Sequence, residues 1–461
     1  MTRRAIAAAT AAAVAIGLLA PWLLGLYAEQ LYRAWIDALS NAGYRIVQDA
    51  YRRDWLQSTA LLIVAPPESG GLEAPRLQAA SRIAHGPRSD AFWRWPPVLA
   101  FARSRVTVIG GPRRLPPLQV TAALEAGGSL DAELGLPDIT YSGNAGSLHL
   151  IDGRGALRYA SDDEGWSGRG ELPMLEAVDL SERALVLKGL AWQFALRNLT
   201  GGVPLGEVTL SLKALKVDAA LDQSLLDLGG LVLELSTALD GGQAKASAEM
   251  RIDQLTVKRA VFAPSVLQLR LTGVDAPSLA TLLDELRRLN KRHLPESMRG
   301  LAMGALLTQS LPDLVSAEPR LTLEHLKLTT PKGAVTARGH LTLSGGGATA
   351  GPPDFWLRRI SGEAQVSVPQ ALVLQLLIDE QRRQVQHELS NRGERVDPLP
   401  VRLAEEVEAA AQASLMLLLR DGWLLADRGR LSASAVLGDG LLILNGKTLP
   451  MTGWTGPRSS P

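Results

Sequence analysis

Along most of this chain apolar and polar residues alternate, with a period of two. Runs of that kind cover residues 58–64, 105–109, 148–151, 185–196, 207–217, 231–235 and 246–257, and then 266–271, 320–329, 335–344, 362–368, 430–437 and 441–445. A period of two sends successive side chains to opposite faces of a sheet, so each run predicts a strand with one covered face. Glycine and proline, 44 and 27 residues, punctuate the series and predict turns between strands. Asp439-Gly440, lying between two apolar runs, predicts a two-residue hairpin turn.

The period lengthens in a few places. Residues 29–43 read as a helix with Leu31, Trp35, Ile36 and Leu39 on one face and Gly43 just past its end. Ser278 reads as the cap of a second helix carrying Leu279, Leu282, Leu283, Leu286 and Leu289. A third is predicted over 370–392, ended by Gly393, and a fourth from Pro400 to Arg420. Leu282-Leu283-Asp284-Glu285-Leu286-Arg287-Arg288 lines up with Leu377-Ile378-Asp379-Glu380-Gln381-Arg382-Arg383, each after a strand and a proline. That correspondence predicts a duplicated strand–helix unit. The expected fold class is α+β: a β-rich antiparallel sheet body with a few amphipathic helices.

The N-terminus carries the clearest address. Residues 5–27 form an apolar run broken only by Thr10, long enough for the roughly 20 helical residues that cross a bilayer. Arg3 and Arg4 precede it and Glu29 follows, so the positive-inside rule keeps residues 1–4 in the cytoplasm and exports the rest. Signal-peptidase cleavage is the rival reading. Pro21 after Ala20, and bulky Leu26 before Ala28, make poor cleavage sites; Thr2-Arg3-Arg4 leaves twin-arginine export as a third. The expected organisation is a cytoplasmic stub (1–4), a transmembrane anchor (5–27), a membrane-proximal β-rich region (28–200) and a second β-rich region with the duplicated units (201–461).

Composition narrows the function. At 46% apolar and 21% charged residues the chain is expected to fold. With no cysteine there are no disulfides, thiolate metal sites or cysteine nucleophiles. A net charge of +1 argues against nucleic acid as a partner. The six histidines, at 85, 149, 293, 325, 340 and 387, include no helical zinc pair; His325 and His340 are the pair that neighbouring strands could bring face to face. Asp162-Asp163-Glu164-Gly165 lacks the alternate ligands of a calcium loop. The glycine-rich stretches at 126–128 and 345–353 fit no nucleotide fingerprint. Asp284/Glu285 and Asp379/Glu380, flanked by arginines, read as helix-surface ion pairs. No catalytic constellation emerges, and neither a cofactor nor a metal is expected.

Three segments carry a resemblance. Tyr51-Arg52-Arg53-Asp54-Trp55-Leu56-Gln57-Ser58 leads into a strand, Arg82-Ile83-Ala84-His85-Gly86-Pro87 follows, and Leu441-Leu442-Ile443-Leu444-Asn445-Gly446-Lys447 closes the C-terminal hairpin. In this order after an N-terminal apolar run, they resemble the YdgA-like family of Gram-negative envelope proteins, a domain of unknown function. The resemblance implies an inner-membrane anchor with a periplasmic body, and it brings no catalytic residues. Its motif positions here are Tyr51, Arg53, Ser58, His85, Gly86, Pro87, Asn445 and Gly446, all expected to be structural. The family usually has glycine after the motif arginine, where this chain has Asp54, which puts the tight turn there in question. The expected function is a non-enzymatic envelope scaffold that docks other envelope proteins. Lipid handling in an apolar groove is the alternative, and hydrolysis of envelope polymers a more distant third.

Overall fold

Alternation is realised as antiparallel ladders. A computed structural model describes residues 21–30, 32–37, 39–40, 43–65, 76–85, 98–110, 116–143, 146–162, 164–181, 183–197, 202–219, 223–257, 260–262, 264–291, 296–344, 358–391 and 400–450. Two compact units divide the chain: Met1–Asp222 with Leu279–Leu307, and Gln223–Ser278 with Thr308–Pro461.

The first unit holds β1 (Arg45–Arg53), β2 (Gln57–Ala65), β3 (Arg76–His85), β4 (Val98–Ile109), β5 (Leu118–Glu125), β6 (Leu130–Leu136), β7 (Ile139–Gly143), β8 (Gly146–Ile151), β9 (Gly153–Ala160), β10 (Gly165–Val178), β11 (Ala184–Arg197) and β12 (Leu205–Ala219). From β1 to β6 each strand pairs with the next in the chain. β6 then pairs with β9, and β7 with β8, in one continuous register that skips Pro137, a residue with no N–H for the ladder. β10 takes β9 and then β8 along one side and β11 along the other, and β11 pairs with β12.

Helix α1 (helical residues 21–30, 32–37 and 39–40) packs on β1–β5. Ala28 meets Ile83, Ala100 and Leu124, with Tyr51 and Ala102 against them. Burying a leucine such as Leu124, 5% exposed, contributes about 1.5–3 kcal/mol. Residues 21–27, expected in the membrane anchor, instead belong to this helix, which Pro21, Gly25 and Ala28 bring against the sheet. Gly43, with φ of 90°, ends it as expected. Residues 5–20 of the expected anchor lie outside the described residues. Among the described residues no helix is long and apolar enough to cross a membrane.

Farther along this sheet the apolar face thins to half-covered aromatics. Trp192 lies over Gly170, and Phe194 over Gly168. The two rings stack with centroids 5.8 Å apart. A Cβ at residue 170 would stand 2.5 Å from the indole, so glycine is required by close approach.

The second unit is a further meander. It runs β13 (Gln223–Asp240), β14 (Gln243–Val257), β16 (Ser265–Asp275), β17 (Arg320–Thr330), β18 (Gly333–Leu343), β19 (Ile360–Pro369), β21 (Arg430–Gly438), β22 (Leu441–Leu444) and β23 (Lys447–Pro450). Short β15 (Ala260–Phe262) pairs with β14, and β20 (Leu425–Asp427) with β21.

In chain order α2 (Ala276–Lys291) and α3 (Glu296–Leu314) stand between β16 and β17, while α4 (Gln370–Asn391) and α5 (Val401–Arg420) stand between β19 and β21. The order strand, strand, helix, helix, strand therefore occurs twice. α4 packs against α5, which buries Val407, Ala411 and Leu415, one turn apart.

The predicted cap of α2 is corrected. Asp275 caps it, its Oδ2 accepting from the Ser278 amide at 2.9 Å and the Ser278 hydroxyl at 2.6 Å; Ser278 is the third helical residue. Asp439-Gly440 turns as predicted, with φ of 53° and 73°. Gly393 lies outside the described residues.

Candidate functional site

Four of the motif residues converge. On β1, alternation puts Tyr51 and Arg53 on the face that α1 covers. The register sets Arg53 opposite Ser58, and Ser58 opposite Ile83, two residues from His85 on β3. Ser58 and His85 are both wholly buried. The Ser58 hydroxyl lies 3.2 Å from His85 Nε2, and the His85 amide donates to the Leu56 carbonyl at 3.0 Å.

α1 closes this cluster from above. Gly25 rests on the imidazole; a Cβ there would stand 3.0 Å from Cε1 and 3.3 Å from Arg53 Cδ. Arg53 donates to Glu29 at 3.2 Å, while its guanidinium lies 5.5 Å from the centroid of the Trp22 ring. Glu29 also pairs with Arg33 one turn on, at 2.8 Å. Tyr32 donates to Asp49 at 2.8 Å and packs on Tyr51, centroids 5.0 Å apart.

Burial sets the protonation states. It lowers the pKa of His85, as does the charge of Arg53, against the opposing pull of the Pro21 and Gln57 backbone, so the ring is held neutral. Burial raises the Tyr51 phenol, and burial followed by the hydrogen bond to Asp49 raises Tyr32.

A serine beside a histidine is the first half of a nucleophile–base pair. Here neither side chain has exposed surface, and no carboxylate reaches Nδ1 among the described residues. The pair joins β2 to β3 beneath α1, at the point where Gly25 meets the sheet. Composition gave no sign of Gly25, Trp22, Tyr32 or Glu29 as partners. Two faint signals existed: a glycine inside an apolar helical run, and the i, i+4 spacing of Glu29 and Arg33.

The other motif positions fall elsewhere. Asp54 needs no glycine: it is not among the left-handed residues, and its amide closes the β1–β2 turn on the Gln57 carbonyl at 2.9 Å. Gly86 and Pro87 lie outside the described residues. Asn445 and Gly446, in the second unit, form the β22–β23 turn with φ of 48° and 85°. The Asn445 side chain accepts from the Ser434 amide at 2.8 Å and donates to the Trp423 carbonyl at 2.9 Å.

Candidate chemistry away from the motifs is sparse. Among the described residues no cluster of histidines and carboxylates could hold a metal ion. His325 lies opposite Gln268, and His340 opposite Thr322 and Glu363, so the two histidines do not face each other. Asp284 pairs with Arg288 at 2.8 Å, and Glu380 with Arg383 at 2.7 Å, on their helix surfaces. The face of the first sheet opposite α1 carries a furrow of about 860 Å³ lined by Phe101, Arg103, Thr121, Glu133, Arg158 and Arg169; Arg158 lies 3.8 Å from Asp131 there.

A family model described as "Bacterial protein of unknown function (DUF945)" matches residues 1–452. No curated protein and no solved structure matches the chain.

Proposed function

The chain belongs to this family of bacterial proteins of unknown function, and on that premise we propose that it is an inner-membrane-tethered, periplasmic envelope protein that holds apolar chains along one face of its sheet. The observation that supports this reading is a line of side chains in the second unit. Leu271, Leu321 and Leu341 lie directly opposite one another on β16–β18, and Gly362, Leu437 and Leu442 continue the line on β19, β21 and β22. Leu321 and Leu341 are 44% and 46% exposed. A filled core would cover such residues, and a contiguous apolar strip left open marks a binding surface. The tether rests on the part of the apolar run ahead of α1, residues 5–20, with Arg3 and Arg4 before it.

Photo-crosslinking in the intact cell tests this. The full chain carries Leu341→p-benzoylphenylalanine, or, as the opposite-face control, Arg338→p-benzoylphenylalanine. Adducts of lipid mass from position 341 and not 338 are expected. No adduct from 341 overturns the reading. Protein adducts instead would favour a scaffold, the reading to which exposed Leu376, Met416 and Leu417 on α4 and α5 lend support. Release of the chain by carbonate extraction would remove the tether.

A further inference from the structure

We propose that Arg52, Arg82 and Arg103 form a binding site for a phosphate-type oxyanion on the face of the first sheet that α1 leaves open. The register draws them into one line: Arg52 opposite Thr59, Thr59 opposite Arg82, Arg82 opposite Arg103, and Arg103 opposite Thr121. Arg82 and Arg103 are directly facing residues of an antiparallel pair, a placement that brings Cβ atoms to about 4.5–5.5 Å and makes like charges destabilising. Arg105, two residues on along β4, adds a fourth cation to the same face.

Neutralising acids are scarce around this line. Among the described residues neither Arg82 nor Arg103 has an ion-pair partner. Arg52, with a side chain 81% exposed, has Asp54, 53% exposed, at 3.7 Å. The next carboxylate along the line is Glu133, opposite Thr121. Arg103 is steadied instead by Phe101, its guanidinium 5.4 Å from the ring centroid. A multiply charged oxyanion resolves the repulsion. Guanidinium forks match its oxygens two at a time, and the Thr59 and Thr121 hydroxyls flank the pair. The furrow that begins at Arg103 and Thr121 leaves room for whatever bears the anion. A lipid headgroup and a soluble phosphate share this chemistry. The site belongs to the first unit and the leucine line to the second, so the two readings stand or fall separately.

Thermal unfolding of the full chain in neutral detergent at low salt tests the site. One arm titrates inorganic phosphate; the other titrates phosphatidylglycerol into the micelles, with phosphatidylcholine as the control. A rise in unfolding midpoint is expected, with apparent affinity at least tenfold weaker in R82Q/R103Q and largely kept in R82K/R103K. Without added anion, Arg82→Gln alone is expected to raise the midpoint by relieving repulsion. Response to phosphatidylglycerol only assigns a lipid headgroup, and response to phosphate assigns a soluble oxyanion. No response in either arm, an undiminished response in R82Q/R103Q, or a lower anion-free midpoint for Arg82→Gln overturns the proposal.

Discussion

Gly25 of α1 lies against the imidazole of His85, close enough that a Cβ would stand 3.1 Å from Nε2. The contact joins the sequence motif on β3 to a helix that the motif does not include. Gly25→Ala must push either the ring or the helix away, and overpacking of this kind costs about 1–3 kcal/mol. Chemical denaturation is expected to show that loss. Gly300→Ala, at a helical glycine with nothing within 4 Å, is expected to gain about 0.5–1 kcal/mol instead. Equal effects at both positions would refute the close contact.

The neutral state of His85 makes stability depend on pH. Its folded pKa is lowered by burial, so below the ordinary histidine value of 6.5 the unfolded chain binds a proton that the folded chain resists. Stability is therefore fully present above about pH 6.5 and falls as the solution is acidified toward the folded pKa. The unfolding midpoint is expected to drop between pH 7 and 5, and His85→Gln is expected to flatten that slope. An unchanged slope would mean that other groups carry it.

Glu29 holds two arginines unequally. Arg53 is 28% exposed and Arg33 is 62% exposed. Screening by water leaves an exposed helix pair about 0.3–0.5 kcal/mol, while the more covered Arg53 pair also fixes α1 over β1. In double-mutant cycles the Glu29–Arg53 coupling is expected to exceed Glu29–Arg33. The reverse order would place the helix's fastening elsewhere.

Asn445 does two things at once: it adopts φ of 48° and its side chain bonds Ser434 and Trp423. Asn445→Ala forfeits both and is expected to cost about 3 kcal/mol, since the two lost hydrogen bonds contribute about 1 kcal/mol each and the left-handed backbone adds about 1 kcal/mol of strain. Asn445→Gly keeps the backbone geometry and is expected to cost less. Equal losses would show that the backbone term is negligible.

Gly168 and Gly170 lie beneath Phe194 and Trp192. Gly170→Ala is expected to displace the indole and weaken the near-ultraviolet dichroism of the stacked pair, with the far-ultraviolet spectrum kept. Loss of both signals together would show that the substitution breaks the sheet itself.

How much of this was legible in the sequence follows from what each residue does. Strands with clean alternation, such as β12 and β17, were visible because one face is consistently apolar. β3, written Arg-Leu-Gln-Ala-Ala-Ser-Arg-Ile-Ala-His, was not, since Ala79, Ser81 and His85 dilute the apolar signal of Leu77 and Ile83 on its inner face. β10 hid behind three glycines and a proline, which signal turns in isolation; here Gly168 and Gly170 sit under aromatic rings, and Pro173 lies where the partner strand changes from β9 to β8. β13 extends to 18 residues although only its Leu231–Leu235 portion had a strand pattern. The motif residues Tyr51, Arg53, Ser58 and His85 were identifiable, yet their roles depended on a helix whose contacts come from Gly25 and Ala28, side chains too small to leave a hydrophobic signal. The arginine line was invisible for another reason: cross-strand register, not sequence spacing, brings Arg82 to Arg103.

The meander order of most strands also governs how the chain gets to its fold. Most ladders join strands adjacent in sequence and close short loops at small entropic cost, whereas β16–β17 and β19–β21 close only across the helices inserted between them. Growth can start at any hairpin and extend outward strand by strand, as in solenoid proteins whose repeats touch only their neighbours. The same geometry lets a hairpin be added or removed with its register intact, an evolutionary route to sheets of different length from one repeating plan.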